Sequence, residues 1–177
     1  AYTNVDKAEN DKENANRVNV LGTQNIAQAA ADTGALLVYI STDYVFDGTK
    51  DTPYKPDDKA NPINIYGETK FLGEEAVRNI CKKYYITRTS WLYGHFGKNF
   101  VETMISLKDK PELKVVDDQK GCPTWSVELC RGILKLIMQQ KPYGTYHICG
   151  SNSTTWYGFA KEVFKIMGFD VNLKPCT

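Results

Sequence analysis

Apolar residues recur along the chain at two periods. In "NDKENANRVNVLGTQNIAQAAADTGA", residues 10–35, Val18, Leu21, Ile26 and Ala29 fall at near-helical spacing between an Asn-Asp start and Gly34, so one helix is predicted there. "ALLVYIST", residues 35–42, is a short continuous apolar run and reads as a strand buried on both faces, as in a parallel sheet. The polar stretch 42–62 reads as a long loop. Asn61-Pro62 then opens a helix whose stripe is Ile65, Leu72, Ala76, Val77 and Ile80. Beyond it the pattern gives a strand over 84–90, a helix over 99–109, a strand over 113–118, a helix over 126–140, a strand over 144–150 and a last helix over 157–168. The C-terminal "NLKPCT" shows no closing element.

Strand and helix alternate throughout, which predicts an α/β fold, doubly wound around a mostly parallel sheet. A dinucleotide-binding fold of this kind needs a first strand running into a glycine-rich turn, and the sequence contains no such turn. The chain is therefore expected to be N-terminally incomplete, as though cut from a larger domain, and to bind a dinucleotide weakly by itself.

Composition narrows the classes. The chain has 177 residues, and its net charge of +1, with Lys and Arg spread along its length, gives no footprint for nucleic acid or a membrane surface. Five separated cysteines and two isolated histidines suit neither a disulfide frame nor a metal set, so reduced thiols in a cytoplasmic protein are expected and no metal site is assigned. No apolar run reaches membrane length.

Candidate chemistry lies in "NPINIYGETKFLGEE", where Tyr66 and Lys70 stand at i and i+4 on one helix face. The same spacing recurs at Tyr157 and Lys161, so spacing alone does not decide. Position does: the first pair follows a strand ending Ser41-Thr42-Asp43, at the carboxyl end where open α/β sheets bind ligands. The second opens an amphipathic helix with Phe159, Val163, Phe164 and Met167, and reads as packing. A phenol beside an ammonium is a tuned proton donor for a ketone receiving hydride, and Thr42 adds a hydrogen bond to the carbonyl oxygen.

"STDYVFDG", "NPINIYGETKFLGEE", "TRTSWLYG", "GKNFVETM" and "VVDDQKGCPTW" together resemble the dTDP-4-dehydrorhamnose reductases, extended short-chain dehydrogenases/reductases of nucleotide-sugar metabolism. The resemblance implies catalytic roles for Tyr66 as proton donor, Lys70 as ribose-binding tuner and Thr42 as carbonyl partner. It also implies substrate contacts at Thr42, Asp43, Trp91 and Asn99, and cofactor contacts at Ala1, Tyr2, Thr3, Tyr66 and Lys70. Phe100, Asp117, Gln119, Gly121, Pro123 and Thr124 fall in motifs that shape the sugar-nucleotide side. The family resemblance, carried by motifs in both portions, implies a dinucleotide-binding portion over 1–91 and a mainly substrate-binding α/β portion over 92–177, interleaved with the same fold unit. The implied cofactor is NADPH or NADH, and a Mg²⁺ requirement and a homodimer are both compatible with it. The implied reaction is reduction of the 4-keto group of a dTDP-4-keto-6-deoxy sugar to dTDP-L-rhamnose.

Bland readings stand beside these. Thr42 and Asp43 also suit a plain strand end, Trp91 also suits core packing, and residues 117–119 suit a solvated turn or a divalent-ion site. Asn19 suits either a bridge to backbone near Tyr66 or a buried amide satisfying a helix. At the level of function, a non-catalytic regulatory subunit resembling that of methionine adenosyltransferase and a nucleotide-sugar epimerase or dehydratase are the alternatives. Dehydratases of the group carry an acidic residue where Tyr44 stands.

Overall fold

A computed structural model describes all 177 residues. In chain order the elements are α1 (Val5–Asn10), α2 (Lys12–Asn16), a π-helical turn (Arg17–Leu21), α3 (Gly22–Thr33), β1 (Leu37–Thr42), a 3-10 turn (Asp43–Val45), α4 (Ile65–Ile80), β2 (Tyr84–Thr89) and β3 (Leu92–Tyr93). They continue with α5 (Phe100–Ser106), β4 (Leu113–Val116), β5 (Lys120–Gly121), β6 (Thr124–Trp125), α6 (Ser126–Met138), β7 (Gly144–His147), β8 (Thr154–Thr155), α7 (Trp156–Met167) and β9 (Leu173–Cys176). Two compact units result, one of Ala1–Thr89 with Lys135–Ile148, the other of Ser90–Leu134 with Cys149–Thr177.

The first unit is built on a parallel three-stranded sheet of order β1-β2-β7, with Leu37 opposite Tyr84, Thr42 opposite Thr89 and Arg88 opposite His147. Side chains alternate across a strand, so β2 serves two faces. Tyr84 and Ile86 meet Ala27 of α3, Val77 of α4 and Cys81 just after it, while Tyr85 turns to the other face and donates its hydroxyl to the carbonyls of Leu136 and Lys141. Every residue of β2 after Tyr84 is buried. The expected burial of β1 on both faces does not hold: β1 lies at the edge of the sheet, its first three residues are half-buried, and Ile40 is 47% exposed.

The single helix expected over 10–35 is four pieces beginning at Val5. Asp11 breaks it, because its carboxylate accepts from the Asn14 amide at 2.6 Å and the Tyr2 hydroxyl at 3.0 Å, local bonds that compete with helical backbone. Residues 17–21 then widen into the π turn, which turns Asn19 inward. Helix α4 starts at Ile65 and not at Asn61-Pro62, since Asn64 is the residue whose side chain caps it, accepting from Gly67 N at 2.7 Å. The 42–62 stretch is less plain than a loop: it opens with the 3-10 turn, Val45 and Phe46 are buried, and Asp47 accepts from Thr49, Tyr54 and Asn61.

In the second unit, α5 and α7 pack over Met104, Leu113, Val115, Ala160, Val163 and Phe164. Short ladders order the rest: β3 pairs with β6 in parallel, and β5 with β8 antiparallel. The C-terminus does carry a closing element, because β9 pairs in parallel with β4, Leu113 opposite Leu173 and Val116 opposite Cys176. The "KPC" sequence hides it, yet Leu173 points to the core and Pro175 is tolerated at an edge. No helix is long and apolar enough to cross a membrane.

Candidate active site

Within the first unit, the end of β1 and the start of α4 bring Thr42, Asp43, Tyr66 and Lys70 into one region. The close approach depends on Gly67, where a Cβ would lie 2.1 Å from the carbonyl oxygen of Tyr44. The glycine lets the first turn of α4 rest on the 3-10 turn, and Tyr44 and Tyr66 then meet edge to face, with ring centroids 5.5 Å apart. Thr42 is buried, donates to the Asp43 carboxylate at 3.0 Å and accepts from Tyr44 N at 3.2 Å.

Lys70 is 4% exposed. Its ammonium donates to the carbonyl of Ile40 at 2.7 Å and lies 4.1 Å from the centre of the Tyr39 ring, whose hydroxyl in turn donates to the carbonyl of Lys70. Burial lowers the Lys70 pKa to about 8, against the pull of the Glu74 carboxylate. The Tyr66 phenol is pushed up from its ordinary value, first by burial and then by the nearby Asp43 and Tyr44, while a hydrogen bond with Thr42 pulls it down. The lowering by Lys70 anticipated from the i, i+4 spacing is therefore absent in this arrangement. Burial also pushes the Asp43 carboxyl up, against its bond from Thr42.

Two supports hold this region. Asn19, 2% exposed, accepts from Tyr2 N at 2.8 Å and donates to Tyr2 O at 3.0 Å, gripping the backbone of residue 2 as a neighbouring strand would. The same amide donates to Thr69 on α4 at 3.1 Å, one residue from Lys70. Ala1 and Thr3 flank that grip and are exposed. Glu74, fully buried one turn beyond Lys70, accepts from Arg88 Nε at 2.9 Å and Nη2 at 2.7 Å, and from Arg78 at 2.7 Å. Glu74, Arg88 and Tyr39 went unnamed at the sequence level, although Glu74 repeats the i, i+4 step from Lys70.

Trp91 and Asn99 belong to the second unit. Asn99 is engaged at both ends: its carbonyl oxygen caps α5 through Glu102 N at 3.1 Å, and its amide donates to the carbonyls of Gly94 and Gly97. Trp91 stacks on Trp156. Asp117 accepts from the Thr155 hydroxyl, which itself caps α7. Tyr157, of the second Tyr-Lys pair, packs against the core of this unit, and Lys161 is exposed.

A family model described as the RmlD substrate binding domain matches residues 1–177. The chain is 42% identical over 178 residues to the spore coat polysaccharide biosynthesis protein SpsK of Bacillus subtilis (strain 168), covering 100% of this chain and 62% of that protein. It is 44% identical over 170 residues to the dTDP-4-dehydrorhamnose reductase of Escherichia coli (strain K12), covering 93% of this chain and 57% of that one. A crystal structure of dTDP-4-dehydrorhamnose reductase from Bacillus anthracis str. Ames in complex with NADP superimposes with a TM-score of 0.97 at 46% identity, over all of this chain and 63% of that one. The chain thus spans less than two thirds of the length of these relatives, and its α/β, Rossmann-like fold is theirs. By sequence along its whole length, and by a fold shared with solved reductases, this chain belongs to the RmlD substrate binding domain family.

Proposed function

We propose that this chain serves the reduction of the 4-keto group of a dTDP-4-keto-6-deoxy sugar to dTDP-L-rhamnose in the cytoplasm, with Tyr66 as the proton donor. The observation that carries the reading is the hydroxyl and carboxyl group of Thr42, Asp43 and Tyr66 at the carboxyl end of β1, set above a buried lysine. Kinship with reductases bearing that name supports the substrate class.

The residues fit the nicotinamide-ribose end of NADPH or NADH. An ammonium has three donors, and Ile40 takes one of Lys70's, which leaves two for ribose hydroxyls. NADPH, when bound, supplies the hydride that reaches C4 of the sugar. Thr42 turns its one hydroxyl proton from the Asp43 carboxylate to the 4-oxygen, and Tyr66 delivers its phenolic proton to that oxygen as negative charge develops there. Because burial keeps the phenol protonated, Tyr66 enters the reaction as an acid. The Lys70 ammonium serves the ribose through its remaining donors. Trp91, in the second unit, is assigned to the sugar nucleotide.

Full-length protein given the keto sugar nucleotide and NADPH is expected to consume the nicotinamide absorbance. Tyr66→Phe is expected to lower kcat by about 100-fold or more, in line with the loss of a general acid. Tyr157→Phe is expected to leave turnover as it was. Wild-type turnover in Tyr66→Phe would remove the acid assignment.

A further inference from the structure

Trp91 adopts φ of 47°, in the left-handed region that a bulky side chain rarely enters and that costs on the order of 1–3 kcal/mol. The strain persists because the second unit fixes both the backbone and the ring. The Trp91 carbonyl accepts from Thr124 N at 3.2 Å, and the preceding Ser90 hydroxyl donates to the Cys122 carbonyl at 2.8 Å. The indole lies flat on Trp156, with centroids 3.6 Å apart and planes 12° from parallel. Trp156 in turn leans on Phe100 at 4.6 Å.

Gly121 completes the cradle. A methyl group on its Cα would sit 2.3 Å from Trp91 Cε2 and 2.6 Å from both Cζ2 and Nε1, so only glycine admits the ring there. Core packing does not account for this. Trp156 and Phe100 pack against the buried cluster of the unit, whereas Trp91 lies outside that set and is stacked on its outer layer. A strained backbone, a flat stack and a glycine floor that together hold one half-buried indole in place are what a preorganised contact surface requires.

We propose that Trp156 and Gly121 are positioning residues that fix the Trp91 indole as a rigid face for the hexose ring of the sugar nucleotide. The inference rests on the reductase reading through Trp91, and it adds two residues to which no role in the reaction has been given beyond motif membership. A flat indole pair has a spectroscopic signature of its own, an exciton couplet in circular dichroism, which reports the stack without reference to turnover.

The test uses full-length protein with the keto sugar nucleotide and NADPH. Trp156→Leu is expected to abolish the couplet and to raise KM for the sugar nucleotide about 10-fold while KM for NADPH stays put, a loss typical of a misplaced positioning surface. Trp156→Phe also loses the couplet yet keeps an aromatic floor, so its KM is expected to return to within about 3-fold of the parent. Gly121→Ala keeps both indoles, and is expected to weaken the couplet and raise KM as Trp156→Leu does. The proposal is overturned if Trp156→Leu and Gly121→Ala both keep the parent's KM while Trp91→Phe raises it. If Trp91→Phe also leaves KM unchanged, the assignment of Trp91 to substrate fails and the cradle falls with it. Should Trp156→Leu lose its fold, Gly121→Ala decides alone.

Discussion

The most telling residue is Lys70, because its chemistry and its cost come from the same burial. Its pKa falls from 10.5 to about 8, so the unfolded chain binds the proton more tightly than the folded one. The sign follows: between pH 8 and pH 10.5 the unfolded state carries the extra proton, and stability rises with pH across that window. Below it the charged lysine burdens the fold by a constant amount. Lys70→Met is therefore expected to gain stability at pH 7, on the order of 1–3 kcal/mol less about 1 kcal/mol for the Ile40 carbonyl it leaves unpaired. That gain should shrink as pH rises from 8 to 10.5, and parallel melting curves of parent and variant check it. A difference that stays flat across this range would contradict the burial argument. The Tyr66 and Lys70 spacing was visible in the sequence, and so was the strand end that sets it apart from Tyr157 and Lys161. The direction of the Tyr66 shift was not, because it depends on enclosure by Thr42, Asp43 and Tyr44, which no spacing states.

At the scale of elements, α4 is tied down by charge as much as by apolar contact. Of its expected stripe only Ala76 and Val77 are buried, while Leu72 is 40% exposed; the rest of the buried face includes Thr69, Lys70 and Glu74. Glu74 and Arg88 fasten this helix to β2, at 0% and 4% side-chain exposure. Removing one partner strands the other, and Glu74→Gln is expected to lower the unfolding free energy by about 3 kcal/mol in urea titrations. Replacing both, as Glu74→Leu with Arg88→Met, should recover more than half of that loss, since neither position then holds an unpaired buried charge and Arg78 keeps Glu75 as its partner. A double variant less stable than Glu74→Gln would show that the pair contributes more than mutual neutralisation. Apolar periodicity located α3 to α7 and the main strands because their buried faces repeat. It missed the π turn, within which Asn19 bonds to Tyr2, and the two-residue ladders, which are too short to have a period.

At the scale of the molecule, the chain order and the folding units disagree. Lys135–Ile148 lies well beyond residue 91 in sequence and belongs to the first unit. That segment brings β7 to the free edge of β2 and supplies Ile148 N to the Arg88 carbonyl at 2.9 Å. It also accepts the Tyr85 hydroxyl and sets His147 edge-on to Phe46 at 5.8 Å. Without it, the two-stranded remnant would expose one face of β2, and two strands seldom hold a fold in water. Residues 1–89 alone are therefore expected to lack a cooperative urea transition. The same residues joined to 135–148 through a flexible glycine–serine linker are expected to regain one, with the slope of a unit of roughly 100 residues. The returning segment would matter little if residues 1–89 alone unfolded cooperatively with an unchanged midpoint. Cooperative unfolding restored only by the linked segment would place the boundary of the first unit at two points in the chain, and would show that the region around Tyr66 is held by residues nearly 80 positions later in sequence.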